Sequence, residues 1–237
     1  MTNKGPGAHP VSRLALDRRQ VEAACRLRAT LSGWNEADAI LLDVRQRYPS
    51  TDRASCIVKS VLVNQLYSTR VFAITEMGSW ISAKLSQTPI PSDVDLVDRI
   101  ASLELAGRRT DARVRRFTSF ASKWCSFFCD EERFPIYDDA ARETLKHHFG
   151  RDLTDDPLSP YGNFFRAFRA LQATVGCSAK ELDYYLWITG MFMRWSKSGT
   201  AISKRVNKEL RGAFEAANCR GSLLEGILPK DVPFPAI

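Results

Sequence analysis

No apolar run in this chain approaches the ~18 residues that a helix needs to cross a bilayer, so no membrane partner is expected. Alternation of apolar and polar residues never extends past a few positions, which argues against a sheet as the organising element. Internal repeats and low-complexity tracts are missing too, and with them the solenoid and disordered classes. The opening MTNKGPGAHPVS has no secretory-leader pattern and reads as a loose tail over residues 1–12. Six cysteines, Cys25, Cys56, Cys125, Cys129, Cys177 and Cys219, are scattered along the chain. Only Cys125 and Cys129 stand one helical turn apart, with His147 and His148 downstream. That is neither the C-x2-C spacing of structural zinc nor a four-cysteine cluster, so no metal and no other cofactor is expected. The thiols read as buried or incidental ones in a reducing, cytoplasmic compartment.

The residues present describe a globular protein. Of 237 residues, 44% are apolar and 26% charged, enough for one large domain or two small lobes. The formal net charge of +7 is compatible with a polyanionic partner, and its distribution matters more than its sum. GRRTDARVRR places five arginines, Arg108, Arg109, Arg113, Arg115 and Arg116, against one acid. RWSKSGTAISKRVNKELR places six basic residues against Glu209. Each segment taken alone fits a solvated helix face as well as a phosphate-contacting one.

Helical periodicity runs almost throughout. LALDRRQVEAACRLRATL is expected to stop at Gly33, and a second helix to open on Asn35 as its cap and end before Pro49. The stretch from Ser50 to Leu85 reads as one or two helices, with a centre from Ile57 to Leu66 too apolar for a surface element. PSDVDLVDRIASLELAG is a further capped helix, with Val94, Val97 and Leu105 near core spacing. Phe164, Phe165, Phe168 and Leu171 form a stripe closed by Gly176, and Ser178 with Glu181 makes a capping box. A final helix is expected from about Thr200 to Ala217. The fold is therefore mainly α.

Lys123 sits among Phe120, Ala121, Trp124, Phe127 and Phe128. Such surroundings desolvate an ammonium and lower its pKa, which is how an amine becomes a nucleophile; the simpler reading has the stem along the aromatics and the head in water. Fifteen residues later Asp138 follows Tyr137 at an expected helix start, where Asp138 or Asp139 can cap.

TSFASKWCSFFCDEERFPIYDDAARETL resembles the helix-hairpin-helix DNA glycosylase superfamily, most closely its 8-oxoguanine DNA glycosylase-like members. In that superfamily a lysine in the second helix of the hairpin precedes a V-P-V-D-like segment. Lys123 matches the lysine and FPIYD, ending in Asp138, matches the segment. IVKSVLVNQLYSTRVFAI resembles the early helix with which these enzymes fill the gap left by an extruded base. SAKELDYYLWITG resembles a stretch of uncharacterised relatives and carries no role beyond packing. Two departures stand out. TSFAS holds no glycine where the family's hairpin is glycine-rich, and the lysine-to-aspartate spacing is shorter than usual.

The resemblance implies a two-lobed helix-hairpin-helix glycosylase-like domain over residues 13–230, with its catalytic segment at 108–148 and an extended end at 231–237. It implies a monomer that binds DNA, flips out a damaged or modified base and cleaves its N-glycosidic bond, with Lys123 and Asp138 catalytic. Asn64, Gln65, Tyr67 and Arg70 would meet the duplex; the five arginines of 108–116, with Ser119 and Ser122, would hold phosphates. Trp124, Phe127 and Tyr137 are candidate walls for the base, although aromatics at helical spacing are also ordinary core. The competing expectation is a non-catalytic helical module that binds DNA or a protein, in repair or genome defence.

Overall fold

The computed structural model describes residues 12–87, 92–103, 116–150, 160–197, 206–216 and 224–232. The elements there are ten α-helices, and no strand occurs among the described residues. None of these helices is long and apolar enough to cross a membrane. The chain divides into two compact units, one of Met1–Arg28 with Asp139–Ile237 and one of Ala29–Asp138.

The continuous unit holds α2 (Ser32–Arg47), α3 (Arg53–Leu66), α4 (Ile74–Leu85), α5 (Asp93–Ala101) and α6 (Thr118–Phe128). Asp52 starts α3 by accepting the Ser55 N–H at 2.9 Å, and hydrogen bonds from Ser50 and Ser55 pull its carboxyl down to about 2. Helices α3 and α4 pack closely because Gly78 has no side chain. A Cβ there would stand 2.6 Å from Ile57 Cα. Helix α6 packs against α2, α3 and α5, and Thr118, Phe120 to Phe127 are all buried, so it is the core helix of its unit.

Between α3 and α4 the chain turns through Ser68 and Arg70, both in the left-handed region at φ 49° and 59°. Such conformations cost non-glycine residues on the order of 1–3 kcal/mol and must be held from outside. Asn64 holds them. Its Oδ1 accepts from Thr69 Oγ1 at 2.9 Å and from the Val71 N–H at 2.8 Å, while Nδ2 donates to the Val71 carbonyl at 3.1 Å.

The discontinuous unit contains nearly all of α1 (Arg18–Ala29), with α7 (Asp139–Phe149), α8 (Pro160–Val175), α9 (Ala179–Ser196) and α10 (Lys208–Ala216). The expected capping box forms at Ser178 and Glu181, and Glu181 also pairs with Arg18 at 2.7 Å. Gly176, at φ 68°, follows the last residue of α8. Phe164, Phe168 and Leu171 are buried as expected, while Phe165 is half-buried. Helices α7 and α9 meet at Gly190, where a Cβ would fall onto the carbonyl oxygen of Ala140.

Three boundaries differ from the sequence reading. Helix α2 opens at Ser32 behind Leu31, so Gly33 lies inside it. Asn35 does not cap; its Nδ2 reaches back to the Ala29 carbonyl at 3.0 Å. The stretch TSFAS is the start of α6 rather than a turn, and Phe117 N–H bonds the Ala101 carbonyl at 2.9 Å to bring the chain back to α5. The last helix is shorter than expected, beginning at Lys208. Leu105 and residues 1–11 and 233–237, the bulk of the expected tail and extended end, lie outside the described residues.

Candidate functional site: a buried lysine beside an aspartate

Lys123 emerges from the middle of α6 and is only 5% exposed. The snorkelling arrangement is therefore not adopted; the whole side chain is interior. Its Nζ donates to Ser119 Oγ, one turn earlier, at 2.9 Å. Asp138 Oδ2 stands 3.9 Å away, near enough for an ion pair and too far for a hydrogen bond. Above the ammonium lies the ring of Tyr67, with its centroid 5.8 Å from Nζ.

The short distance to Asp138 has a local cause. Ser122, one residue before the lysine, is fully buried, and its hydroxyl oxygen accepts the Tyr137 N–H at 2.9 Å. The same oxygen stands 3.2 Å from the Ser119 carbonyl and 3.4 Å from the Tyr137 carbonyl, to which it can donate. This clamp ties the segment after Pro135 to the centre of α6, so the residue after Tyr137 is delivered beside Lys123.

Tyr67 is held in turn. Its hydroxyl donates to Asp38 Oδ1 on α2 at 2.5 Å, and its ring packs between Trp34 at 5.6 Å and Phe127 at 5.4 Å. Asp38 and Trp34 were not singled out from sequence. On α2 they look like any helix residues, and only the packing of α3 shows what they touch.

The other expected contacts divide. Gln65 and Arg70 are exposed, flanking the left-handed turn. Asn64 has both ends of its amide engaged in that turn, so its role is to shape the turn rather than to enter a duplex. Ser122 is interior and cannot reach a phosphate, and Ser119 is the lysine's hydrogen-bond partner. Arg116 pairs with Asp98 at 3.3 Å. Arg108, Arg109, Arg113 and Arg115 lie outside the described residues. Trp124 is wholly buried beside Phe128 and is core, while Phe127 and Tyr137 are buried next to Tyr67 and Asp138 respectively. In the other unit Trp195 packs on Phe192 and Phe214.

Phe72 was also missed. It is 88% exposed, immediately after the turn that Asn64 pins, and with its neighbour Val71 buried it presents a bare aromatic ring to solvent. Its signal in the sequence was hidden, because an apolar residue between two helical patterns reads as core.

A protein-family model described as HI_0787_N, N-terminal domain, matches residues 20–133, a span that includes Lys123 and stops short of Asp138. No curated protein and no solved structure matches the chain.

Proposed function

We propose that the chain is a DNA N-glycosylase that excises a damaged or modified base and cuts the strand through a lysine Schiff base. The observation that carries this reading is the buried Lys123 ammonium 3.9 Å from the Asp138 carboxylate. A buried ammonium is costly to keep unless it is paired, and this one has a carboxylate within ion-pair distance on which a reaction with a developing positive charge can draw.

In the proposed reaction Asp138 faces the positive charge that develops on the sugar as the C1′–N bond breaks, and so lowers the barrier. Lys123 Nζ, having lost a proton to water, attacks C1′ while Asp138 stays charged, and the base departs with the bonding electrons and gains a proton from water. Opening of the sugar ring leaves an iminium between Nζ and C1′. Removal of a C2′ proton then expels the 3′ phosphate by β-elimination. Ser119, hydrogen-bonded to Nζ, orients the amine.

A glycosidic bond inside a stacked duplex is out of reach, so the nucleotide must be extruded and its gap filled. Phe72 is suited to fill it, since an exposed apolar ring on a rigid turn can wedge between base steps, with Arg70 and Gln65 beside it for the backbone. Tyr67, which lies over Lys123, must be passed or displaced by the incoming sugar.

Borohydride trapping on a panel of duplex and single-stranded DNAs carrying oxidised, alkylated or enzymatically modified bases tests the reading. A covalent adduct with one base, absent in Lys123→Gln, supports it. Abasic sites without an adduct, lost in Asp138→Asn, would replace the Schiff base by attack of water. If neither product forms on any DNA the protein binds, the chain is a non-catalytic binding module.

A further inference from the structure

Lys123 is shut away from the reaction that its position invites. A carbon must come within about 3–3.5 Å of an amine before a bond can form, and at 5% exposure the residue leaves a sugar ring no path to Nζ from solvent. Something beside it must move. Ser119 stands on the same helix one turn back, and the Ser122 clamp ties the backbone next to Asp138 to the centre of α6. Tyr67 is placed differently. It is the residue on which α3 ends, followed directly by Ser68 in the left-handed region, and its ring centroid stands 5.8 Å from Nζ. It is half-buried while the lysine is interior, so of the two the tyrosine is the outer layer.

The ring is fixed from its far end. The Tyr67 hydroxyl donates to Asp38 Oδ1 on α2 at 2.5 Å, a bond to a carboxylate and so stronger than one between neutral groups. Trp34, one turn before Asp38 on the same helix, meets the ring at 5.6 Å and 52°, and Phe127 of α6 meets it at 5.4 Å and 42°. Both contacts are tilted rather than stacked. A half-buried phenol can be satisfied by water, so its burial does not call for the carboxylate; what Asp38 adds is a fixed position for the ring over Lys123. All of these residues lie in the continuous unit.

We infer that Tyr67 is a gate over the Lys123 amine, latched shut by Asp38, and that it shields the amine from free aldehydes. An open amine condenses with any aldehyde that reaches it: the nitrogen bonds to the carbonyl carbon, and the oxygen leaves as water with the two amine protons. Opening swings the ring off Asp38 and uncovers Nζ. Lids of this kind admit a substrate and exclude competing partners from the reactive group. Opening by an extruded nucleotide rests on the glycosylase reading; the closure does not.

The test is reductive alkylation of the full chain with glyceraldehyde and cyanoborohydride, without DNA, read at each lysine by peptide mass spectrometry. Lys208, which is exposed, and Lys59, at 2% exposure, are the internal references. Lys123 is expected to label at least about 10-fold more slowly than Lys208. Tyr67→Phe keeps the ring and removes the latch, and Asp38→Ala removes the latch from the other side. Each should raise labelling of Lys123 by about 10-fold or more, the scale of a lost hydrogen bond to a charged group, and leave Lys59 as slow as before. Unchanged labelling of Lys123 in both variants would overturn the gate, as would a rise at Lys59 in step with Lys123 or an Lys123 as reactive as Lys208 from the start. Trapping on DNA reports separately. Raised labelling without a DNA adduct leaves the gate over an amine of another use, and an adduct with unchanged labelling leaves a glycosylase that has no gate.

Discussion

The hydroxyl of Ser122 accepts the amide N–H of Tyr137 at 2.9 Å inside the protein, and through that bond the middle of α6 fixes the backbone next to Asp138. Replacing Ser122 with Ala leaves a buried N–H without an acceptor, which costs about 1–3 kcal/mol. Ser122→Ala is therefore expected to lower the free energy of unfolding, read from a urea titration, by that amount. On the proposed reaction it should also reduce adduct formation more than DNA binding, because Asp138 loses its anchor while the turn that carries Phe72 is untouched. Equal losses in binding and trapping would point to general unfolding instead.

The two charged partners are expected to fail differently. On the proposed reaction Lys123→Gln removes the nucleophile and should abolish the borohydride-trapped adduct. On the same reaction Asp138→Asn removes the charge proposed to face the developing cation and should slow base release by about 10²–10³-fold, the scale seen when one preorganised electrostatic group is lost. Single-turnover kinetics with separate detection of free base and cut strand would resolve the two.

Phe72→Ser is expected to leave thermal stability within about 0.5 kcal/mol, since the ring buries almost nothing. On the proposed mechanism it should weaken extrusion, read as a smaller rise in 2-aminopurine fluorescence beside the target base. Tyr67→Phe is the contrasting change: the ring over Lys123 stays but the bond to Asp38 goes.

His148 makes stability depend on pH. Its ring is fully buried, with Nδ1 3.3 Å from the Leu14 carbonyl, to which it donates, and Nε2 accepting from the Tyr185 hydroxyl at 2.9 Å. Both nitrogens are satisfied only in the neutral ring, and burial lowers the pKa from 6.5 to about 4. The unfolded chain takes up a proton below 6.5 and the folded one does not. The stabilisation is thus complete above pH 6.5 and is lost as the pH falls towards 4, by about 3 kcal/mol at most. Urea titrations across that window should show the decline, and His148→Gln should flatten it.

Gly190→Ala should be among the most damaging small substitutions, because the added methyl meets the backbone of Ala140 rather than a side chain that could turn away. A loss of about 3 kcal/mol or more is expected from forcing α7 and α9 apart. Gly212→Ala, on α10 with nothing near its Cβ, is the matched control and should be neutral or slightly stabilising.

Periodicity disclosed the helices of this chain well, because α8 and α9 carry apolar stripes and Ser178 with Glu181 signals a start by local chemistry alone. Helix α3 is the exception, since it buries Ser55, Lys59 and Ser60 with Cys56 and Val63 and leaves Val61 exposed, so its apolar centre is partly surface after all. It misplaced the start of α2, since Leu31 offers no side-chain cap and Asn35 spends its amide on Ala29. Lys123 and Asp138 stood out because an uncommon residue in an apolar helix is visible in one dimension. Their supports were not visible. Asp38 meets Tyr67, and Lys59 approaches Trp124, across long intervals of chain, and nothing in the residues around either one encodes the meeting. Asn64 and Ser122 were given to DNA because their types suit it, whereas burial and turn geometry had already claimed both side chains.

The division of the chain also orders events in time. Residues 29–138 form one uninterrupted stretch, whereas the other unit draws on segments from both sides of it. During synthesis the chain of the unit carrying Lys123 and Asp138 is made in full before that of α7 to α10, while the buried face of α1, with Val21, Ala24 and Leu27, waits for helices not yet made. Once residues 29–138 have cleared the ribosome that unit has all of its own chain to pack with, while Val21, Ala24 and Leu27 of α1 still lack the helices that cover them.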